Sequence, residues 1–536
     1  MLINQLETTK MKTRRLLSLI ACLLCIFSYS TVFATIKKTE IGTCSGAIVS
    51  QSAFSTANTT YIINYDITLS GEVTVPSGCT LLFSGGSVSG GTLRLTDTEV
   101  CAPDYQIFKS VTIKGSFANS HISAHWWGAK GDGNTDDSKA INSALEVAGK
   151  STVMLPRQRY LVNSPIKINR LYSKLECAGT ILTTSDIAIL ELSSQYLDIK
   201  VRQLRYGKTN GVTTDRIGTG VSFRGNVFNS NISIDRVMNL QKGFDFTPDL
   251  ADGRKLSGSQ YNKVSWQYID CRYCIFIDLW KDPSMVHKVW VNENQFFGGR
   301  MSGVYGVYVK ENSVASPENT DYINGNVFNC IGFEGIVTPV SLFFSRNNRF
   351  NDCRMSEGIS GDKWIILKDC GFCSFDIKSM FPYNRLSTTN CSQVVIENRI
   401  VDSGMGGGSG FNRLIANGNT VFAGTELPQC NMMKQLYYNS TTNQRISFND
   451  LFVSTYDHQM VLSDMCKIII DKKMKLTVDL KDSIYKLHPR MTLVCSIFNG
   501  ATIDIAIGNK VYATISQLGK YIITYDRDST PIVVAM

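Results

Sequence analysis

Histidine is nearly missing from this chain: His121, His125, His287, His458 and His488 are its only five in 536 residues. None stands in a Gly-His-Gly or His-Glu-x-x-His context, which excludes a helical zinc-protease motif. No run of lysine and arginine interleaves with aromatics in the manner of a nucleic-acid surface. Beyond Ala34 no apolar run approaches the roughly 20 residues a membrane-spanning helix needs. The net charge of +9 is mild for this length. Lys10, Lys12, Arg14 and Arg15 against Glu7 give the stretch 1–34 a charge of +3, leaving +6. That balance suits an acidic polymer as partner and equally an ordinary soluble surface.

The stretch 1–34 reads as an export leader. Lys12, Arg14 and Arg15 precede an apolar run at 16–27, and Val32-Phe33-Ala34 supplies small residues for cleavage before Thr35. Leu19-Ile20-Ala21-Cys22 is close to a lipoprotein box, but too little apolar sequence precedes it. The expected product is exported, periplasmic or extracellular, without a transmembrane segment. Sixteen cysteines are present, two of them in the leader. Most lie in strand-like contexts, such as Cys330, Cys353 and Cys391, where small thiols pack as apolar side chains. Cys271–Cys274 and Cys370–Cys373 have zinc-knuckle spacing, but several coils of chain separate the two pairs, so no shared metal is expected.

What is abundant is repetition. Five segments open with Asn followed by alternating apolar residues: Asn231-Ile-Ser-Ile, Asn262-Lys-Val-Ser-Trp, Asn294-Gln-Phe-Phe-Gly, Asn326-Val-Phe-Asn-Cys and Asn348-Arg-Phe-Asn-Asp. Subtracting successive numbers gives steps of 31, 32, 32 and 22. A repeat on this scale signals a solenoid, and the two-residue alternation makes its elements strands. Stacked Asn side chains hydrogen-bond along such an array, so the leading column is expected to be scaffold.

The stretch 61–100 holds short strand runs punctuated by Pro76-Ser-Gly78, Gly85-Gly86 and Gly90-Gly91, read as first coils or a β cap. Then comes Trp126-Trp-Gly-Ala-Lys-Gly-Asp-Gly-Asn-Thr-Asp-Asp137. Thr135 or Asp136 is placed to cap a helix whose Ala140, Ile141, Ala144, Leu145 and Ala148 share one face. Val153-Met-Leu-Pro156 and Tyr160-Leu-Val follow as strand. This block resembles the N-terminal module of the pectate-lyase-like β-helix superfamily, which includes rhamnogalacturonase-type, epimerase-like and phage tailspike proteins. Gln158 stands where that family usually has Gly. The resemblance implies an all-β, right-handed parallel β-helix with an N-terminal capping helix. The reading of the chain is then a leader at 1–34, β coils or cap at 35–125 and the parallel β-helix at 126–424. A small β domain at 425–536, read as a sandwich, completes it. Insertions at Asp249–Ser259 and Ser313–Asp321 read as loops, and Gly404–Gly410 as a flexible boundary.

Counting from the leading Asn puts Val237, Tyr268, Arg300, Gly332 and Arg354 in one column, six places on. Asn239, Asp270, Ser302, Glu334 and Ser356 form a second, eight places on, with Glu357 following. Charges of both signs at equivalent coil positions make Asp270, Arg300, Glu334, Arg354 and Glu357 the catalytic candidates. Tyr268, Tyr305 and Phe333 are candidates for stacking on sugar rings, whereas Trp266 and Phe297 read as core. Missing the Gly-His-Gly element disfavours the superfamily's polygalacturonase branch. Two chemistries remain open. In a lyase, Arg300 and Arg354 neutralise a uronate carboxylate while a base takes the C5 proton, with calcium on Asp270, Glu334 and Glu357 as an option. In a hydrolase, Glu334 pairs with Asp270, about 9–10 Å away across two coils, or with the nearer Glu357. The leading expectation is β-elimination of a uronate-containing polysaccharide of pectin or glycosaminoglycan type. A glycoside hydrolase and a non-catalytic glycan-binding β-helix are the alternatives.

Overall fold

The computed structural model describes residues 37–207, 216–248, 256–279, 288–311, 323–355, 358–377, 385–400, 410–418, 420–426, 433–438, 441–447, 453–456, 459–462, 465–470, 472–480, 490–497, 500–525 and 530–536. The expected leader and Glu357 lie outside them. The described residues of Met1–Pro103 with Ile107–Asn119 form one compact unit, and those of Asp104–Gln106 with Ser120–Met536 a second.

In the first unit, strands such as Thr59–Ile63, Thr80–Phe83 and Thr92–Cys101 pair in parallel, as do Ile67–Leu69, Val88–Ser89 and Phe108–Lys109. The register runs Ile67↔Val88↔Phe108, so successive coils here follow one another closely in sequence, as their Gly-rich punctuation implies. Alternation buries Tyr61, Ile63, Leu81 and Phe83 on one side of these strands.

The second unit is built on a 22-stranded sheet. Near its start, helix α1 (Ser138–Val147) buries Ala140, Ile141, Ala144 and Leu145. The Asp136 carboxylate accepts from the first helical N–H, Ser138 N, at 3.0 Å, whereas Thr135 is held by Asp132. Asp137 is buried and its carboxylate takes Lys130 N at 2.6 Å and Gly131 N at 3.0 Å. These aspartates fold a turn, and every described oxygen contact they make is structural.

Six strands of the large sheet carry the central coils: β1 (Asp198–Tyr206), β2 (Asn231–Phe246), β3 (Lys263–Ile277), β4 (Arg300–Val309), β5 (Gly332–Phe343) and β6 (Arg349–Met355). All neighbouring pairs among them are parallel. A third face is a four-stranded sheet of Val227–Phe228, Leu256–Gln260, Lys288–Asn292 and Ile323–Asn324. Leu256–Gln260 corrects the loop expected at Asp249–Ser259: with Ser257 and Ser259 buried, its end is a strand paired on both sides.

One turn recurs in coil after coil. Tyr172, Tyr196, Asn229, Tyr261, Glu293, Gly325, Asn347 and Phe372 all have φ between +52° and +67°. The residue after each points inward, and in four coils it is Asn. Asn262 Nδ2 donates to Asn294 Oδ1 at 2.9 Å, Asn294 to Asn326 at 3.1 Å and Asn326 to Asn348 at 3.0 Å. Each Oδ1 also accepts the backbone N–H of the previous rung. The rungs are 0–1% exposed, so these bonds satisfy amides that water cannot reach. The ladder begins at Ser230, whose N–H donates to Asn262 Oδ1 at 3.0 Å. Asn231 is exposed and pairs with Lys263. The first step is thus corrected from 31 to 32, because Asn231 sits one place past the inward turn position. Below the ladder, Phe296, Phe328, Phe350 and Phe375 stack at 4.6, 4.4 and 4.6 Å.

Toward the C-terminus Gly410–Gly418 and Thr420–Glu426 add antiparallel strands. Two further sheets then enclose one core of Tyr438, Ile468, Leu476, Leu493 and Ile503. Their inner pairings, Met433–Tyr438 on Met465–Ile470 and Lys475–Asp479 on Thr502–Ile507, are parallel, and antiparallel strands close the edges. The coil pattern therefore runs into the region read as a sandwich.

Candidate functional site

Six places past the ladder the strands turn side chains outward, and the register fixes which ones share a column. Arg236, Tyr268, Arg300, Gly332 and Arg354 are successive partners. Counting from Asn231 had put Val237 in the place of Arg236; Val237 is fully buried. Arg236, Arg300 and Arg354 are exposed and Tyr268 is half-buried. Arg300 Nη1 lies 3.0 Å from Glu334 Oε2, and its guanidinium carbon sits 5.7 Å from the centre of the Tyr268 ring. Tyr268 OH donates to Ser302 Oγ at 3.5 Å, and Ser302 Oγ donates to the Glu334 carbonyl at 3.1 Å. Arg300, Tyr268, Ser302 and Glu334 are thereby one connected group across three coils.

Asp270 is in register with Ser302, but its environment differs. It is 6% exposed and its Oδ1 accepts from Arg216 Nη2 at 2.6 Å. Arg216 Nη1 is buried without an acceptor among the described residues. It lies 2.7 Å from where a Cβ on Gly303 would stand, and that Cβ would also be 1.7 Å from the Cys271 carbonyl. With φ at +131°, Gly303 is therefore the residue that lets the strand bend while arginine packs against it. Asp270, a catalytic candidate by its column, thus lies beneath the surface on Arg216, whereas Glu334 is half-exposed. Because Asp270 and Glu334 each hold an arginine, these two do not present the free oxygen set that the calcium option required.

The aromatic candidates separate. Tyr268 belongs to the site. Phe333 is fully buried, against Gly306, since one residue after outward Gly332 the side chain must point inward; its expected contact with sugar is corrected to a core role. Tyr305 is half-buried on the far side of the Gly303 bend, stacked 5.1 Å from Tyr273 and in a different column from Tyr268. Trp266 is buried, but Phe297 is 43% exposed, because the alternation that buries Phe296 turns Phe297 out. Both zinc-knuckle pairs are core thiols. Cys271 and Cys274 point at the carbonyls of Val237 and Ser302, and Cys370 and Cys373 at those of Leu342 and Ser345. Burial pushes Cys274 up to about 12, a state unsuited to metal or nucleophile.

Sequence reasoning missed Arg236, Arg216 and Ser302 as contributors. Ser302 was in a predicted column and overlooked for its neutrality. Arg236 was displaced by one place. Arg216 comes from outside the repeated strands and carries no periodic signal.

The family model of rhamnogalacturonase A/epimerase, pectate lyase-like, matches residues 122–378. No curated protein matches the chain. Among solved structures, the gp42 tailspike of Acinetobacter phage vb_AbaP_AS12 superposes with a TM-score of 0.37 at 11% identity, over 74% of this chain and 64% of that one. ORF18 of Geobacillus virus E2 gives 0.30 at 13%, over 78% and 86%. PfbA, a surface adhesin of Streptococcus pneumoniae, gives 0.26 at 10%, over 77% and 98%. The chain thus spans less than two thirds of the tailspike's length. Residues 122–378 of this chain are thus similar to a pectate-lyase-like family, and the strands described in that stretch stack in parallel coils.

Proposed function

We propose that this protein is an exported polysaccharide lyase that cleaves a uronate-containing acidic glycan by β-elimination at the Arg300–Glu334–Tyr268 group. The observation that carries the reading is the column itself: Arg236, Arg300 and Arg354 are exposed along it, and Arg300 holds the half-exposed carboxylate of Glu334. Hydrolysis by two side-chain carboxylates needs both at the surface. Asp270 is buried and held by Arg216, so the geometry favours elimination over the Glu334–Asp270 pair.

In this mechanism a uronate carboxylate takes the place of Glu334 on the Arg300 guanidinium. Neutralising that carboxylate acidifies the C5 proton. The exchange releases Glu334, which accepts the proton as base. As the C4–C5 double bond forms, the C4–O bond breaks and the departing oxygen takes a proton from the Tyr268 hydroxyl. Arg236 and Arg354, two coils to either side, hold neighbouring acidic groups of the chain.

Incubation with pectate, hyaluronan and chondroitin sulfate, following the ultraviolet band of a 4,5-unsaturated uronate, tests this. The band should grow with one of them, and Glu334→Gln should lower its rate by about 10²–10⁴-fold, the range of a lost general base. New reducing ends without the band would replace elimination by hydrolysis. Full activity of Glu334→Gln would remove the site.

A further inference from the structure

A second feature belongs to the recurring turn and not to the charged column. Three of the turn residues with positive φ are tyrosines, and their rings are out in solvent: Tyr172 is 56% exposed, Tyr196 44% and Tyr261 54%. Tyr172 and Tyr196 stack across adjacent coils with ring centres 5.0 Å apart and planes at 16°. Beside them, on the third sheet, half-buried Phe228 and Trp290 stack at 6.0 Å. Trp290 lies flat on Gly258, where any Cβ would meet the indole at 2.5 Å, and its Nε1 donates to Gln260 Oε1 at 3.3 Å.

Two physical facts bear on these rings. A left-handed backbone is unfavourable for a tyrosine by about 1–2 kcal/mol, and the same turn is made in other coils by Asn229, Gly325 and Asn347, which adopt it readily, and by Glu293 and the exposed Phe372, which bear a like cost. Exposed rings gain little burial to offset that cost, and strain of this kind concentrates at working surfaces. The polar groups are also suggestive in kind. Gln260 Nε2 holds Glu293 Oε2 at 2.7 Å, and Asn229 is exposed between the tyrosines, so hydroxyl-matching amides and a carboxylate border the flat rings.

We propose that Tyr172, Tyr196 and Tyr261 form a ridge that binds a pyranose-based polysaccharide chain running along the coil axis, its sugars lying against the outward ring edges of the stacked Tyr172–Tyr196 pair and against the exposed Tyr261 ring. Positions on the ridge recur once per coil, about 4.8 Å apart, close to the advance of one pyranose in a chain. Tyr261 is seven places before Tyr268 in the same coil, roughly 20 Å along the strand, so the ridge is separate from the charged column. Its choice of ligand rests on the glycan reading above, whereas its existence does not depend on Glu334.

The decisive variant is Tyr172→Asn with Tyr196→Asn, the residue the turn already carries at 229 and 347. Native gels cast with pectate, hyaluronan or neutral galactan should retard the parent chain in at least one polymer. The double variant should bind that polymer at least fivefold more weakly, with a thermal midpoint unchanged or raised. Tyr172→Phe with Tyr196→Phe should keep the retardation, and the same ranking should hold on the Glu334→Gln background. Undiminished retardation of the Asn variant overturns the ridge, as does a parent chain that no polymer retards. A change of oligomeric state by light scattering, with retention intact, would make the ridge a contact between copies and overturn it as well. Release of unsaturated product from short uronate oligosaccharides remains an independent reading of the Glu334 site in every case.

Discussion

Two columns lie six places apart in the same coils and obey opposite rules. The ladder column repeats one residue, Asn262, Asn294, Asn326 and Asn348, and is dry. The outward column reads Arg236, Tyr268, Arg300, Gly332 and Arg354, no two neighbours alike. A buried amide stack works only if each rung presents the same donor and acceptor to the next, so identity across coils is what stability demands. The outward face has no such requirement. Variation there is free to place charge, aromatic ring and empty space against a ligand. In this solenoid, repetition marks scaffold, and its interruption is where we place the proposed chemistry.

The largest expected effect tests whether Asp270 belongs with the scaffold. Arg216→Met leaves a buried carboxylate without its partner and should destabilise the chain by about 3–5 kcal/mol, the range for breaking a buried ion pair. Adding Asp270→Leu should recover most of that loss. If Arg216→Met leaves the denaturation midpoint unchanged but abolishes turnover, Asp270 moves to the chemical side of the comparison. Next in size is Asn294→Ala, which removes the Oδ1 that accepts from Asn262 Nδ2 and from the Asn262 N–H, and the Nδ2 that donates to Asn326 Oδ1 and the Ser259 carbonyl. About 2–4 kcal/mol should disappear from unfolding in urea, with no selective loss of activity in the protein still folded. Glu334→Gln should do the reverse, slowing turnover while leaving the midpoint in place, since the Arg300–Glu334 pair is half exposed and such pairs are worth about 0–1 kcal/mol.

How much of this was readable in the sequence follows from the same contrast. Strand period, coil length and the ladder were legible because backbone hydrogen bonding imposes them on every turn. The columns were legible only as far as their alignment anchor was right. Taking the inward residues Ile232, Val264, Phe296, Phe328 and Phe350 as anchor reproduces the observed pairing and brings Arg236 into line with Arg300. Using Asn alone failed at Asn231, where a polar residue next to the turn imitates a rung. Phe333 failed for a simpler reason: the two-residue alternation from Gly332 already sent it inward, and aromatic identity was given more weight than parity. Burial of Asp270 had no signature, because Arg216 reaches it from far back in the sequence.

The smallest effect is the sharpest check on the corrected register. Asn231 and Asn262 open segments of similar pattern, and a sequence alignment treats them as equivalents. The structure gives them unlike surroundings: Asn262 has its amide bonded to Val227 O, Ser259 Oγ and Asn294 Oδ1 with no exposure, and Asn231 faces solvent beside Lys263. Asn231→Ala should therefore shift stability by less than about 0.5 kcal/mol, as surface substitutions do, while Asn262→Ala should lose several times that. Parallel urea titrations of the two variants decide it. Equal losses would put Asn231 back on the ladder, restore the shorter first step and take Arg236 out of the column that Arg300 occupies.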